Sequence, residues 1–269
     1  MRVAALFTYP IKSCYRVEPR SVTVEPWGFA GDRRWIVVDA EEGKQLTQRV
    51  LPELGRIIPR STPAGLYMRV DGVGDLAVPE PTEGPLLEVG VGHDRVLGLP
   101  AGSEADAFVS KAIGRDARLV YLDDPTRRPV DPAYGVEGES VSFADGFPVL
   151  LANAASLAAV NDWLAEEQEE PVGMTRFRPN VVVEGAPPWA EDGWLGRRLR
   201  LGEVVFRTVK PCDRCVLTTV DPETGEKGRQ PLRILGKRRR FPAGLLFGTN
   251  LIPDNVGAIK LGDSVTVIP

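Results

Sequence analysis

Short β-rich runs, broken at close intervals by glycine and proline, are the feature of this sequence that most limits its fold. Residues Arg2–Tyr9, Val22–Glu25, Arg34–Asp39, Gly65–Val70 and Leu86–Val91 are rich in β-branched and aromatic side chains between turn-forming residues. With 28 Gly and 24 Pro in 269 residues the chain turns often. A mainly β (α+β) protein is expected, with a mostly antiparallel β domain first.

Two helices interrupt the strands. Ser103 with Asp106 three residues on reads as a capping box, Phe108, Val109, Ala112 and Ile113 form an apolar stripe, and Gly114 can close the helix. Arg118–Leu122 returns to strand. The polar, aperiodic stretch Asp123–Ser140 then sets a domain boundary between residues 122 and 123, giving domains 1–122 and 123–269. Beyond it Phe147–Ala152 reads as a strand. Asn153 follows as the cap of a helix bearing Leu157, Val160, Asn161 and Leu164 on one face, and Pro171 stops that helix. Val181–Glu184, Leu199–Val209, Cys215–Val220 and Ser264–Ile268 read as strands, with a turn at Asp221, Pro222 and Gly225. The second half is expected to be a β barrel or sheet with few helices.

Composition narrows the function. A formal charge of −4 argues against a general nucleic-acid binder. The one basic run, Lys237 to Arg240, is usually a solvated face, or else a docking patch for an acidic electron donor. Three cysteines with one close pair do not make a secreted disulfide scaffold and fit a reducing compartment, so a cytoplasmic location is expected. The apolar stretch Val3–Phe7 is too short for a signal-peptide core, and no uncharged apolar run approaches the ~20 residues needed to cross a bilayer. A soluble monomer without a membrane partner is the expectation.

The close pair is Cys212 and Cys215, in the run Pro211, Cys212, Asp213, Arg214, Cys215. Such spacing admits a redox disulfide, half of a zinc site, or a thiolate donor to another metal centre. A redox pair usually opens a helix, whereas Val216–Val220 reads as strand. Structural zinc needs four ligands, and the other candidates are only Cys14 and the sole histidine, His93. Two buried core thiols that fall three apart by chance are the plain alternative.

The neighbouring residues add a resemblance. Lys210–Gly225, KPCDRCVLTTVDPETG, is similar to the signature of the MOSC family, specifically the mitochondrial amidoxime-reducing components and their bacterial relatives. Tyr9–Cys14, Asp32–Trp35, Arg176–Asn180, Phe247–Gly248 and Gly257–Asp263 match in family order, so the resemblance spans nearly the whole chain. It implies an N-terminal β-barrel-like domain plus a MOSC β-barrel domain. It also implies a molybdenum cofactor, a molybdopterin whose Mo is held by one cysteine thiolate between the two domains.

In that resemblance Cys215 is the metal ligand and the catalytic position. Arg214 would favour its deprotonated form. Cys212 either tunes the site or packs, and Cys14 is structural. Lys12, Ser13, Arg33 and Arg178 fall at cofactor-binding positions and supply the forks and donors that a phosphate and pterin edges need. Each taken singly reads rather as a surface lysine, a turn serine or a structural ion-pair arginine, and only together, at family positions, do they favour an anion site. Thr47, Arg49, Asn153, Ser156 and Asn180 complete the implied set, and Asn153 and Ser156 equally suit a helix N-terminus. His93, in the turn-like stretch Gly90–Val96 away from every motif, is expected to be a solvated loop residue.

The implied reaction is two-electron reduction of N-hydroxylated compounds. Three cysteines cannot hold an iron–sulfur cluster, so a separate electron-donor protein of flavin, iron–sulfur or haem type is implied. Two rivals stand beside this: a non-catalytic carrier of molybdenum cofactor or sulfur, weakened by the lack of a fused desulfurase domain, and a structural β protein.

Overall fold

The computed structural model describes residues 1–268 and builds a nearly closed barrel with a second β-rich unit against it. The barrel strands run, neighbour to neighbour, Arg2–Leu6, Val181–Glu184, Val149–Asn153, Gly244–Pro253, Val204–Asp213, Arg198–Leu201 and Val265–Ile268. Arg240–Phe241 pairs beside the path. The two outer strands are joined by main-chain bonds instead of being left as edges: Val3 N–H donates to Asp263 and Val265 N–H to Met1, both at 2.9 Å. Alternation drives the closure. Leu199, Leu201, Val204 and Phe206 are fully buried, whereas Arg198 and Arg200 between them face outward. Val3, Leu6, Leu151, Val183, Leu251 and Val265 share that core.

The second unit pairs Trp35–Asp39, Ala117–Tyr121, Asp94–Pro100 and Leu87–Val91, and adds the meander Ile58–Thr62, Gly65–Val70, Gly74–Pro79. Helix α1 (Ser103–Ile113) lays Ala105, Val109, Ala112 and Ile113 on a core that includes Trp35, Leu54, Met68 and Leu119. Helix α2 (Ala154–Glu166) starts as expected, with Asn153 Oδ1 accepting from Ala155 N–H. Helix α3 (Leu232–Arg238) packs near it and was not legible in the sequence.

Three expectations need correction. Ser103 is not the cap of α1: Gly102, at φ 101°, holds that place, and Asp106 accepts from Leu119 N–H, tying the helix to its neighbouring strand. Leu199–Val209 is not one strand but a hairpin that reverses at Gly202 (φ 57°). Cys215–Val220 is not a strand either. Val216–Thr219 is a single 3-10 turn, because the hydroxyls of Thr218 and Thr219 donate back to the carbonyls of Cys215 (3.0 Å) and Val216 (2.8 Å) and compete with a ladder. The strand argument against a redox pair therefore falls. Strand pairing also crosses the expected boundary between residues 122 and 123. Arg2–Leu6 belongs to the barrel, and Ser21–Glu25 pairs with both Gly28–Phe29 and Gly257–Lys260.

Candidate functional site

Among the described residues five non-glycine residues have left-handed backbone, and three of them, Ser13 (φ 64°), Arg33 (φ 49°) and Arg178 (φ 51°), line one cleft between the barrel and the second unit. The conformation costs an L-residue roughly 1–2 kcal/mol, so it survives only where surroundings impose it. Here they do. Lys12 N–H donates to Trp35, Arg33 N–H to Tyr9, and Arg178 N–H to Thr175 at the end of the 3-10 turn Met174–Phe177. These bonds hold the turns from which Ser13, Arg33 and Arg178 line the cleft.

Buried Tyr9 organises two of the cations. Its ring lies between the Arg33 guanidinium at 4.3 Å and that of Arg178 at 4.1 Å, and its hydroxyl donates to Pro179 at 3.2 Å. Burial pushes that hydroxyl up to about 12, so it stays protonated despite both arginines. Arg33 is fixed by Asp32 (2.6 Å) and Asn180 Oδ1 (3.1 Å). Asn180 also accepts from Leu150 N–H and donates to Phe7, so it borders the cleft with its amide already engaged. Arg178 Nη1 donates to Cys14 O at 3.0 Å, while its buried Nη2 has no partner. Burial, with Arg33 alongside, pulls this guanidinium down to about 10.

The opposite wall carries Lys12, Thr47 and Arg49. Lys12 Nζ donates to Phe143 O (2.8 Å) and to Asp145 (2.5 Å), and Arg49 reaches the other Asp145 oxygen at 3.5 Å. Lys12 above all, and Arg49 and Arg33 after it, hold the Asp145 carboxyl well below the ordinary carboxylate range. Sequence reasoning missed Asp145. The signal available was one acidic residue in the otherwise apolar approach Phe143–Leu151. Phe147 and Asn250 were missed as well.

Cys212 and Cys215 both face this cleft as free thiols, Cys215 exposed and Cys14 fully buried. Burial pushes Cys14 up to about 12, in keeping with a packing role. Arg214, expected beside Cys215, instead donates to Cys212 Sγ at 2.7 Å and to Phe177 O at 2.6 Å. Cys215 caps the 3-10 turn, and its nearest effect on a cation is at Arg49, which burial lowers but Asp145 and then Cys215 raise. Burial raises the Cys212 thiol and Arg214 offsets part of that.

Asn153 and Ser156 do not join the cleft. Asn153 Nδ2 donates to Pro187 O (2.8 Å) and Glu191 (3.1 Å), and Ser156 Oγ accepts from Trp189 N–H (2.8 Å), all in the packing under α2. His93 is exposed, as expected, but its turn lines an outer chamber that opens from the same cleft past Cys215. The basic run is not a free patch. Lys237 pairs with Glu167, Arg238 with Glu166, and Arg239, 8% exposed, pairs with Asp192 between the Trp189 and Phe241 rings. Those carboxylates neutralise three of the four cations, while exposed Arg240 makes no ion pair among the described residues.

The inner cleft thus gathers five cations, Lys12, Arg33, Arg49, Arg178 and Arg214, around Asp145 and Asp213, next to an exposed thiol. Buried nitrogens of Arg49, Arg178 and Arg214 have no partner. Among the described residues no group of three or more His, Cys, Asp and Glu forms a metal cage, so a metal at Cys215 would draw its other ligands from a cofactor. No helix among them is long and apolar enough to cross a membrane.

Comparison with known proteins divides the chain into two matched segments. The MOSC N-terminal beta barrel domain matches residues 1–116, and the MOSC domain matches residues 138–266. Human mitochondrial amidoxime-reducing component 1 is 31% identical over 99% of this chain and 82% of its own. Mitochondrial amidoxime reducing component 2 of Bos taurus is 31% identical over 98% and 82%. A molybdenum cofactor sulfurase of Oryza sativa is 27% identical over 99% of this chain but only 34% of its own.

Proposed function

The chain belongs to the MOSC-domain family, and from that premise we propose that it is a molybdenum-cofactor-dependent reductase of N-hydroxylated compounds that draws electrons from a separate donor protein. The observation that carries the reading is the pairing of an exposed Cys215 thiol with buried, unpartnered guanidinium nitrogens of Arg49, Arg178 and Arg214. Buried guanidinium N–H groups left without an acceptor are costly until a ligand supplies one. A phosphate-bearing molybdopterin fits that need, and the thiol matches a soft-metal ligand.

When bound, the cofactor supplies the two-electron chemistry, in which R–NHOH with two electrons and two protons becomes R–NH2 and water. The chain's own residues have narrower tasks. Arg33 and Arg178, clamped on Tyr9, present planar forks to an anion and cannot swing away. Lys12 and Arg49 hold Asp145 ionised beside the site, and Arg49 sets a positive charge at Cys215. Cys215 would supply the protein's sulfur ligand to the metal. Its position on a tight turn leaves one side open to the outer chamber.

The test is the protein purified from a host that makes the cofactor. It should carry molybdenum near one per chain and reduce an amidoxime with dithionite-reduced mediator. Cys215→Ala should lose molybdenum and activity together. If instead Cys212→Ala lost both and Cys215→Ala kept them, the ligand assignment would be reversed. The similarity to the sulfurase supports a second reading, a carrier of the cofactor or of sulfur. Stoichiometric molybdenum without turnover of any N-hydroxylated compound would favour it.

A further inference from the structure

Cys215 is bracketed by two arginine anchors. On the side before it, Arg214 N–H continues the strand ladder to Leu245 O at 2.8 Å, and the Arg214 side chain donates to Phe177 O at 2.6 Å. On the side after it, Arg176 reaches the far end of the 3-10 turn Val216–Thr219. Its Nη1 donates to Thr219 O at 3.0 Å and its Nη2 to Asp221 at 2.9 Å. Gly228 N–H donates to the same Thr219 oxygen at 2.9 Å, so both lone pairs of that carbonyl are taken. The other Asp221 oxygen accepts from Glu223 N–H (2.8 Å) and Thr224 N–H (3.2 Å) and holds the turn that follows.

Arg176 and Arg178 belong to the same short turn, Met174–Phe177 with Arg178 at its end, but they have different partners. Arg178 lines the cleft with its Nη2 unpartnered, whereas Arg176 lies outside the cleft and has both terminal nitrogens engaged. Phe177 between them stacks at 3.7 Å on Phe247 of the barrel strand Gly244–Pro253. Cys215 starts its turn without a side-chain cap bond, so the direction of its thiol is set by the backbone on either side. A single 3-10 turn has poor hydrogen-bond geometry, and its last carbonyls find no donor within it. An outside fork on Thr219 O is therefore a large part of what keeps this turn in place.

Building on the proposed reductase, we infer that Arg176 is a positioning residue: it locks the turn that carries Cys215 to the turn that carries Arg178. The metal's sulfur ligand and the grip on the cofactor's anion are then held in one frame. The planar guanidinium suits this task because its fork serves a carbonyl and a carboxylate at once. A metal ligand has to be held within about 0.5 Å of its working place by residues that do not themselves bind the metal. The role concerns the sulfur–metal contact alone. Removing Arg176 should leave the anion contacts offered by Lys12, Arg33 and Arg178 as they are.

Two probes separate this role from general support of the fold: metal-free molybdopterin, which lacks the atom that Cys215 would bind, and the same molybdopterin carrying molybdenum. They are titrated anaerobically into the full-length protein purified from a host without the cofactor. Arg176→Met should weaken binding of the molybdenum form at least about tenfold and of the metal-free form less than about twofold. Asp221→Asn should shift the same ratio in the same direction by a smaller factor, and it decides alone if Arg176→Met does not fold. In the cofactor-free protein, amide exchange at Thr218 and Val220, whose N–H groups donate to Cys215 O and Leu217 O, should quicken at least about tenfold in Arg176→Met. Leu151 and Val183 in the barrel should keep their rates. Equal weakening of both molybdopterin forms would mean that Arg176 only supports the fold, and unchanged exchange at Thr218 and Val220 that the turn stands without it; either result overturns the inference. A wild type that binds the two forms alike sinks the assignment of Cys215 as metal ligand, while exchange in the cofactor-free protein still decides whether Arg176 holds the turn.

Discussion

Arg178 combines three features that seldom meet in one residue: left-handed backbone, a ring stacked at 4.1 Å, and a buried nitrogen with no partner. Only the planar guanidinium can stack on Tyr9, donate to Cys14 O and still offer Nη2 to an anion. Arg178→Lys keeps the charge but loses the fork. It should lower cofactor occupancy several-fold at unchanged fold, read as molybdenum per chain beside a far-ultraviolet spectrum, and full occupancy would show that charge alone suffices. Glu191 makes the opposite case of a buried carboxyl with one oxygen unpartnered. Burial raises its pKa above the ordinary value. A raised folded pKa means that the folded state binds the proton more tightly than the unfolded chain. Its contribution is then present at low pH and is lost as pH climbs through the ordinary carboxyl range to the folded value. Glu191→Gln should therefore raise Tm more at pH 8 than at pH 4, and an equal shift at both would show that ionisation of Glu191 is not what limits stability.

Strand ends and tight turns, more than strand bodies, carry the site. Ser13, Arg33 and Arg178 each sit on a turn, and Cys215 caps a 3-10 turn, so backbone bonds between neighbouring elements aim the side chains. The barrel tolerates little change where two strands meet closely. Gly248 has φ 80°, and a Cβ there would lie 2.6 Å from the Leu151 carbonyl. Gly248→Ala should destabilise by about 2 kcal/mol or more, from strain in the left-handed region plus the clash. A urea midpoint within error of wild type would contradict that. Helix α3 shows the same dependence on neighbours. Its basic run looks like a patch in the sequence, yet Arg239 is stacked and paired. Arg239→Glu should lower stability through a repulsive contact with Asp192, and any loss of activity should be the same with a protein donor as with a small reductant.

At the scale of the whole molecule the two family-matched segments are interlocked. The barrel needs Arg2–Leu6 beside Val181–Glu184 and Met1–Val3 against residues 262–265, and Ser21–Glu25 joins Gly257–Lys260. A fragment of residues 123–269 would lack those strands and expose the apolar faces of Val181, Val183 and Ile259. It should show no cooperative thermal transition, while adding back residues 1–29 as a peptide should restore one. A cooperative transition in the fragment alone would mean that the barrel closes without its first strand. The same interlocking makes the cleft, since Lys12, Arg33 and Arg49 come from the first half and Asp145, Arg178 and Cys215 from the second.

Local chemistry was enough to read much of this in the chain. The β-rich runs, Asn153 as a helix cap, Gly114 as a helix end (φ 69°), the turn at Asp221 to Gly225, and the C-x-x-C motif with its flanking arginines depend on neighbours within a few residues. What the chain alone left undetermined depends on partners far away in sequence. Strands such as Gly244–Pro253 and Gly74–Pro79 are held by pairing in spite of their composition. Asn153 and Ser156 matched family positions but have their polar atoms taken by Pro187, Glu191 and Trp189. Which arginine faces which cysteine was decided by a one-turn helix, and whether a charge is free, as at Asp213, or cancelled, as at Lys237 and Arg238, by what folding brings beside it. Hydrogen bonds and ion pairs act over a few ångströms of space, so sequence neighbours specify the elements, and only the closed barrel specifies which charges remain unpaired in the cleft.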